Sequence, residues 1–136
     1  MTIKKGTTRL VIILDKIVIK IPNFRYCWQH FLQGVIANIH EWQTWDIVSK
    51  YRSEVSHLLC PVLWCSWGGW ILVMRKADYV LQVEDWEKYD CSLHMKYFPG
   101  DDTVANYGLL YGNLVKIDYG QAVDRFSNNK IKKIEC

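Results

Sequence analysis

The chain has 136 residues, half of them hydrophobic, with seven tryptophans and a net charge of +3; this is the composition of one folded domain and excludes a disordered chain. No apolar run reaches the ~18 residues of a membrane span. The basic start (Lys4, Lys5, Arg9) is followed by an apolar run broken at Asp15-Lys16 with no small-residue cleavage site, so no signal peptide is expected here. The five cysteines (Cys27, Cys60, Cys65, Cys91, Cys136) are odd in number and include no C-x-x-C pair, so reduced thiols in a cytoplasmic protein are expected and structural zinc is not.

The first elements are two β-branched runs, Leu10–Leu14 and Ile17–Ile21, separated by Asp15-Lys16, and they predict a hairpin ended by Pro22. Ile17, Ile19 and Ile21 share one face of the second strand; Val18 and Lys20 share the other. A lysine among Ile and Val is either an edge residue with its amine in water or a buried charge that needs an anion. Phe24, Cys27, Trp28, Phe31, Leu32, Val35, Ile36, Ile39 and Trp42 then recur at helical spacing and predict a long helix from Asn23, its N-cap, to about Lys50. Asn38 and Glu41 share a face of that helix.

Past a polar connection over residues 51–57, Leu58–Cys65 and Trp70–Met74 predict two strands around a turn at Ser66-Trp67-Gly68-Gly69. Core packing is the expectation for Met74. Trp64, Trp67 and Trp70 cluster at this turn and are candidates for an exposed aromatic patch. A helix is predicted over about Glu84–Lys96, from Trp86, Tyr89, Leu93 and Met95 among charged residues.

The stretch with the densest chemistry follows. Asp101, Asn106 five positions later, the predicted hairpin Leu109–Tyr111 and Leu114–Ile117 around Gly112-Asn113, and then Asp118-Tyr119-Gly120 form an ordered series. The hairpin brings Asn106 and Asp118 to the same end of a sheet. The last sixteen residues end in a basic tail, about 125–136, carrying Lys130, Lys132 and Lys133. Without interleaved aromatics, the basic termini read as solvated ends in preference to a nucleic-acid patch.

The order Lys20, Glu41, Asp101, Asn106, Asp118 resembles that of protein kinases and aminoglycoside phosphotransferases. Val18-Ile19-Lys20 is similar to the kinase strand whose Lys grips nucleotide phosphates and pairs with a helix Glu, and Glu41 follows Lys20 by 21 residues. The resemblance implies Lys20 and Glu41 as a salt bridge, Asp101 as the base orienting an acceptor hydroxyl, and Asn106 and Asp118 as ligands of Mg2+ on bound ATP. It also places Met74 beside the adenine and Arg75–Asp78 as the hinge. The chain departs from the family in having Pro99 or Gly100 where a His is usual, Asp102 competing with Asp101 for the register, and only nineteen residues before Lys20. On that length a first strand and a glycine-rich cover over the phosphates are not expected, nor are an activation segment and acceptor-binding helices after Gly120. Compact Trp-rich chains of this kind also resemble small proteins of bacterial viruses.

The expected architecture is therefore a single α+β domain over residues 1–136 in a truncated kinase-like arrangement. It comprises a four- to six-stranded, mainly antiparallel sheet, one long packed helix and a smaller helical region. The expected function is that of a pseudokinase binding nucleotide through Lys20, Glu41, Asn106 and Asp118, or, if active, a phosphotransferase. The alternative is an interaction protein that uses the scaffold to bind and inhibit a host or partner protein.

Overall fold

The computed structural model describes residues 1–100 and 103–120. Among the described residues, eight strands fall into two antiparallel sheets. The larger holds β1 (Thr2–Lys5), β2 (Arg9–Ile13), β3 (Ile17–Pro22), β4 (Val62–Cys65) and β5 (Leu72–Arg75), in the order β1-β2-β3-β5-β4. The smaller holds β6 (Tyr79–Val80), β7 (Tyr107–Leu110) and β8 (Asn113–Lys116), in that order. One long helix, α1 (Trp28–Tyr51), packs on β3 and β4. Short helices α2 (Ser53–Ser56) and α3 (Ser92–Tyr97) complete the α+β fold, and no described helix is long and apolar enough to cross a membrane.

The β2–β3 hairpin forms where the β-branched runs predict it, with Lys20 opposite Val11 on one side and Leu72 on the other. Leu72 and Met74 are buried, and they share the sheet face on which Val18 and Lys20 lie. Lys20 is therefore a core residue beneath α1 and not an edge lysine. The first strand, for which the sequence reading left no room, exists as β1: it pairs with β2 from Thr2↔Ile13 to Lys5↔Leu10. All four of its residues are exposed, so backbone pairing holds it without a burial pattern.

The helix starts later than expected. Asn23 does not cap it; the side chain is wholly buried, donating from Nδ2 to the Gly6 carbonyl (2.7 Å) and accepting from the Arg25 amide (3.0 Å). The segment expected as one helix over 84–96 divides into a 3₁₀ turn at Val83–Lys88 and α3. Asp85 Oδ2 accepts from the Gln82 amide in a capping box, and Asp90 Oδ1 accepts from the Ser92 amide in a local turn before α3, so two carboxylate contacts with the backbone divide the segment into two short helices.

The sheets are joined through β8. Leu59 bridges Lys116 in parallel: the Cys60 amide donates to the Lys116 carbonyl (2.9 Å) and the Lys116 amide to that of Leu58 (2.8 Å). A continuous core that includes Val48, Leu59, Leu72, Met74, Val115 and Tyr119 lies across this seam. Met74 packs there as expected. Cys60 and Cys65 are free thiols.

Candidate functional site

Four charged side chains from distant parts of the chain meet beneath the larger sheet. Lys20 reaches down from β3, Glu41 up from the middle of α1, Arg9 in from the first residue of β2, and Asp118 from the segment just after β8. Lys20 Nζ lies 2.9 Å from Glu41 Oε2 and 3.1 Å from Oε1, which is the expected salt bridge. Arg9 Nη2 lies 2.8 Å from Glu41 Oε1 and 2.7 Å from Asp118 Oδ1. Lys20 Nζ and Asp118 Oδ1 are 3.9 Å apart. Lys20 completes its contacts on the Ile117 carbonyl (3.1 Å), so its three protons face three acceptors.

Asn38 locks the arrangement. Its amide nitrogen donates to the carbonyls of Lys20 (3.1 Å) and Gly69 (2.9 Å), which turns its oxygen toward Arg9 Nη1 at 3.2 Å. Glu41 is fully buried, while the Asp118 side chain keeps 33% of its surface exposed. Burial works against ionising Asp118, but Lys20 and Arg9 outweigh it and hold the carboxyl well below the usual range. Glu41 is pushed upward by burial, against the pull of Arg9 and Lys20. Two acidic and two basic side chains give the cluster a formal charge of zero, so each buried charge has an opposite partner within hydrogen-bond reach.

Gly120 completes the local geometry, because a Cβ there would lie 2.6 Å from the Ala37 carbonyl oxygen and 3.0 Å from Glu41 Oε1. The residue after Asp118-Tyr119 has to be small for α1 to come this close. Tyr119 anchors the same segment by donating its hydroxyl to the Cys60 carbonyl (2.8 Å).

Of the residues read from the sequence, Lys20, Glu41 and Asp118 thus converge. Asn106 stands at the same sheet end as Asp118, as the hairpin predicts: its carbonyl accepts from the Ile117 amide at 2.8 Å. The turn itself falls at Tyr111-Gly112 and not Gly112-Asn113, both residues having positive φ (52° and 79°), the backbone that suits a two-residue hairpin. Asp101, assigned as the base, lies outside the described residues, as does the basic tail. The segment Arg75–Asp78, read as a hinge, is tied on both sides: the Lys76 amide donates to the Lys16 carbonyl (3.0 Å) and the Asp78 amide to that of Leu109 (2.8 Å).

The sequence reading missed Arg9. It precedes an apolar run and looks like part of a solvated basic end; only its partners 32 and 109 residues away make it a core residue.

The Mg2+ that the resemblance implies does not fit the residues present. A small hard dication needs a nearly octahedral set of oxygens free of other cations. Here Asp118 Oδ1 is taken by Arg9, and both Glu41 oxygens by Arg9 and Lys20. Among the described residues, no group of three or more His, Cys, Asp or Glu is gathered to hold a metal. Comparison of the chain with protein-family models, with curated proteins and with solved structures gives no match.

Proposed function

We propose that the chain is a degenerate, pseudokinase-type domain that binds an adenine nucleotide at the Lys20–Glu41–Asp118 cluster and does not transfer its phosphoryl group. One observation carries this reading: a strand lysine, a helix glutamate and an aspartate after a late hairpin meet within 3.9 Å, in the order in which kinases use them. The Ile117 carbonyl is the uncharged member of Lys20's three acceptors, and so the one that a phosphate oxygen would replace at least cost. Phosphoryl transfer demands more than this, namely charge stabilisation at the γ-phosphate and a cover that excludes water. The β1–β2 connection, Gly6-Thr7-Thr8, is too short for a cover, and Arg9 occupies the aspartate that would hold a metal.

Thermal melting with millimolar ATP tests the reading. A ligand specific to the folded state, at a hundredfold excess over its Kd, stabilises by about 2.7 kcal/mol. The expected result is a rise in Tm that Lys20→Ala abolishes. No rise in the wild type, or a full rise in that variant, would overturn it.

A specific observation also supports the interaction-protein reading. Trp67 is 92% exposed at the tip of the β4–β5 connection, and Trp64 and Trp70 flank it more than half exposed, Trp70 resting against the Phe31 ring at 5.2 Å. Under that reading a Trp64→Ser, Trp67→Ser variant keeps the wild-type Tm and loses a partner protein that the wild type binds. ATP then leaves the Tm of both unchanged.

A further inference from the structure

Arg9 is not a visitor to the cluster. Its backbone is the first paired position of β2, opposite Pro22, and its guanidinium contacts three oxygens, Asn38 Oδ1, Glu41 Oε1 and Asp118 Oδ1, at 3.2, 2.8 and 2.7 Å. The Asn38 oxygen is aimed by the two carbonyls that hold its nitrogen. This is a preformed oxygen cradle around a positive charge, and it includes the Asp118 oxygen that would otherwise face a metal. We infer that the Arg9 guanidinium is the resident cation of this site and that the Lys20–Glu41–Asp118 cluster takes up no divalent metal.

Charge and donor geometry both support the assignment. The two carboxylates are already balanced by the guanidinium and the ammonium, so a dication arriving at Asp118 would add two uncompensated charges in a largely buried place. The same carboxylate oxygen lies 2.7 Å from one fixed cation and 3.9 Å from another, so a metal bound there would meet two like charges at close range. Neither Arg9 nor Lys20 can withdraw cheaply, because each would leave Glu41 buried with a reduced share of its partners. The inference rests on the convergence of these side chains and not on nucleotide binding.

Metal alone is the probe. Free Mn2+ gives an electron paramagnetic resonance signal that is lost on binding, and titration of wild-type protein into millimolar Mn2+ is expected to leave it intact. Arg9→Gln keeps a polar side chain with N–H donors but removes the charge; it should tighten Mn2+ binding roughly tenfold or more, as expected when a like charge is taken from a buried site. The gain should vanish when Asp118→Asn is added. Wild-type uptake that Asp118→Asn abolishes would overturn the inference, as would a folded Arg9→Gln protein with no gain. If circular dichroism shows that neither Arg9→Gln nor Arg9→Met folds, the wild-type titration with and without Asp118→Asn decides alone. Failure of ATP to raise the wild-type Tm would remove the proposed function and leave this inference in place.

Discussion

Arg9 Nη2 and Asp118 Oδ1 are joined at 2.7 Å across 109 residues of sequence, and the bond ties the second strand of one sheet to the segment leaving the other. Removing one partner of a buried pair leaves the remaining charge without compensation, which typically costs about 3–5 kcal/mol; replacing both can be nearly neutral. Arg9→Met is therefore expected to lower stability by about that range, because it strips Glu41 as well as Asp118. Asp118→Asn should cost less, since a third of that side chain is in water. The double variant should lose less than the sum of the two, and strict additivity in urea denaturation would show that the pair is not coupled.

Gly34 lets α1 approach the backbone just before β2 and at the end of β3. A Cβ there would stand 2.2 Å from the Thr8 carbonyl oxygen and 2.9 Å from Pro22 Cα, both backbone atoms. Alanine favours a helix by about 1 kcal/mol over glycine, yet overpacking costs about 1–3 kcal/mol. With backbone on the other side of the clash, the second effect wins, and Gly34→Ala should reduce the denaturation midpoint. A raised midpoint would place α1 farther from the strands.

His94 gives stability a pH dependence. Its Nε2 donates to the Leu114 carbonyl (2.9 Å), which fixes the neutral tautomer, while Nδ1 is buried with no partner. Burial lowers its pKa first of all; the Leu114 carbonyl raises it, His57 and Lys116 lower it further, and Asp90 raises it slightly. The folded value thus lies below the unfolded one, the unfolded chain binds the proton more readily, and the contribution is full above the unfolded pKa and lost as pH falls from there. Wild-type protein should lose stability between about pH 7 and pH 5 more steeply than His94→Phe. Parallel curves for the two proteins would remove His94 as the cause.

The Cys60 thiol should resist modification in the folded protein. Burial is the main cause of its pKa rising to about 11, and its Sγ donates to the Arg75 carbonyl at 3.1 Å. Since the thiolate is the nucleophile, alkylation near pH 8 should be roughly a hundredfold slower at Cys60 than in urea-unfolded chain. Mass spectrometry of iodoacetamide-treated protein checks this, and equal labelling of folded and unfolded Cys60 would contradict its burial.

The elements that could be read from sequence are those whose causes are local. Leu10–Ile21 announces its hairpin through β-branched runs and a polar break, and the long helix announces itself through spacing. The Lys20–Glu41–Asp118 convergence came from the order of residues in a resemblance and not from any local signal. What escaped depends on partners far away. Arg9 needs Glu41 and Asp118 to be a core residue, and Asn23 needs the Gly6 carbonyl to be something other than a helix cap. Exposed β1 carries no pattern at all, because only the backbone of β2 recruits it. The division of 83–97 into two helices lay within reach, through Asp85 and Asp90, but apolar spacing outweighed those two carboxylates in the reading.

The seam between the sheets also decides how the charges are shared out. Residues up to Arg75 include every strand of the larger sheet and α1, but within them Glu41 faces both Arg9 and Lys20, one positive charge in excess. Asp118, from beyond the β7–β8 hairpin, supplies the balancing negative charge. The five-stranded unit cannot neutralise its own core, and a fragment ending at Arg75 would carry an unmatched cation in its interior.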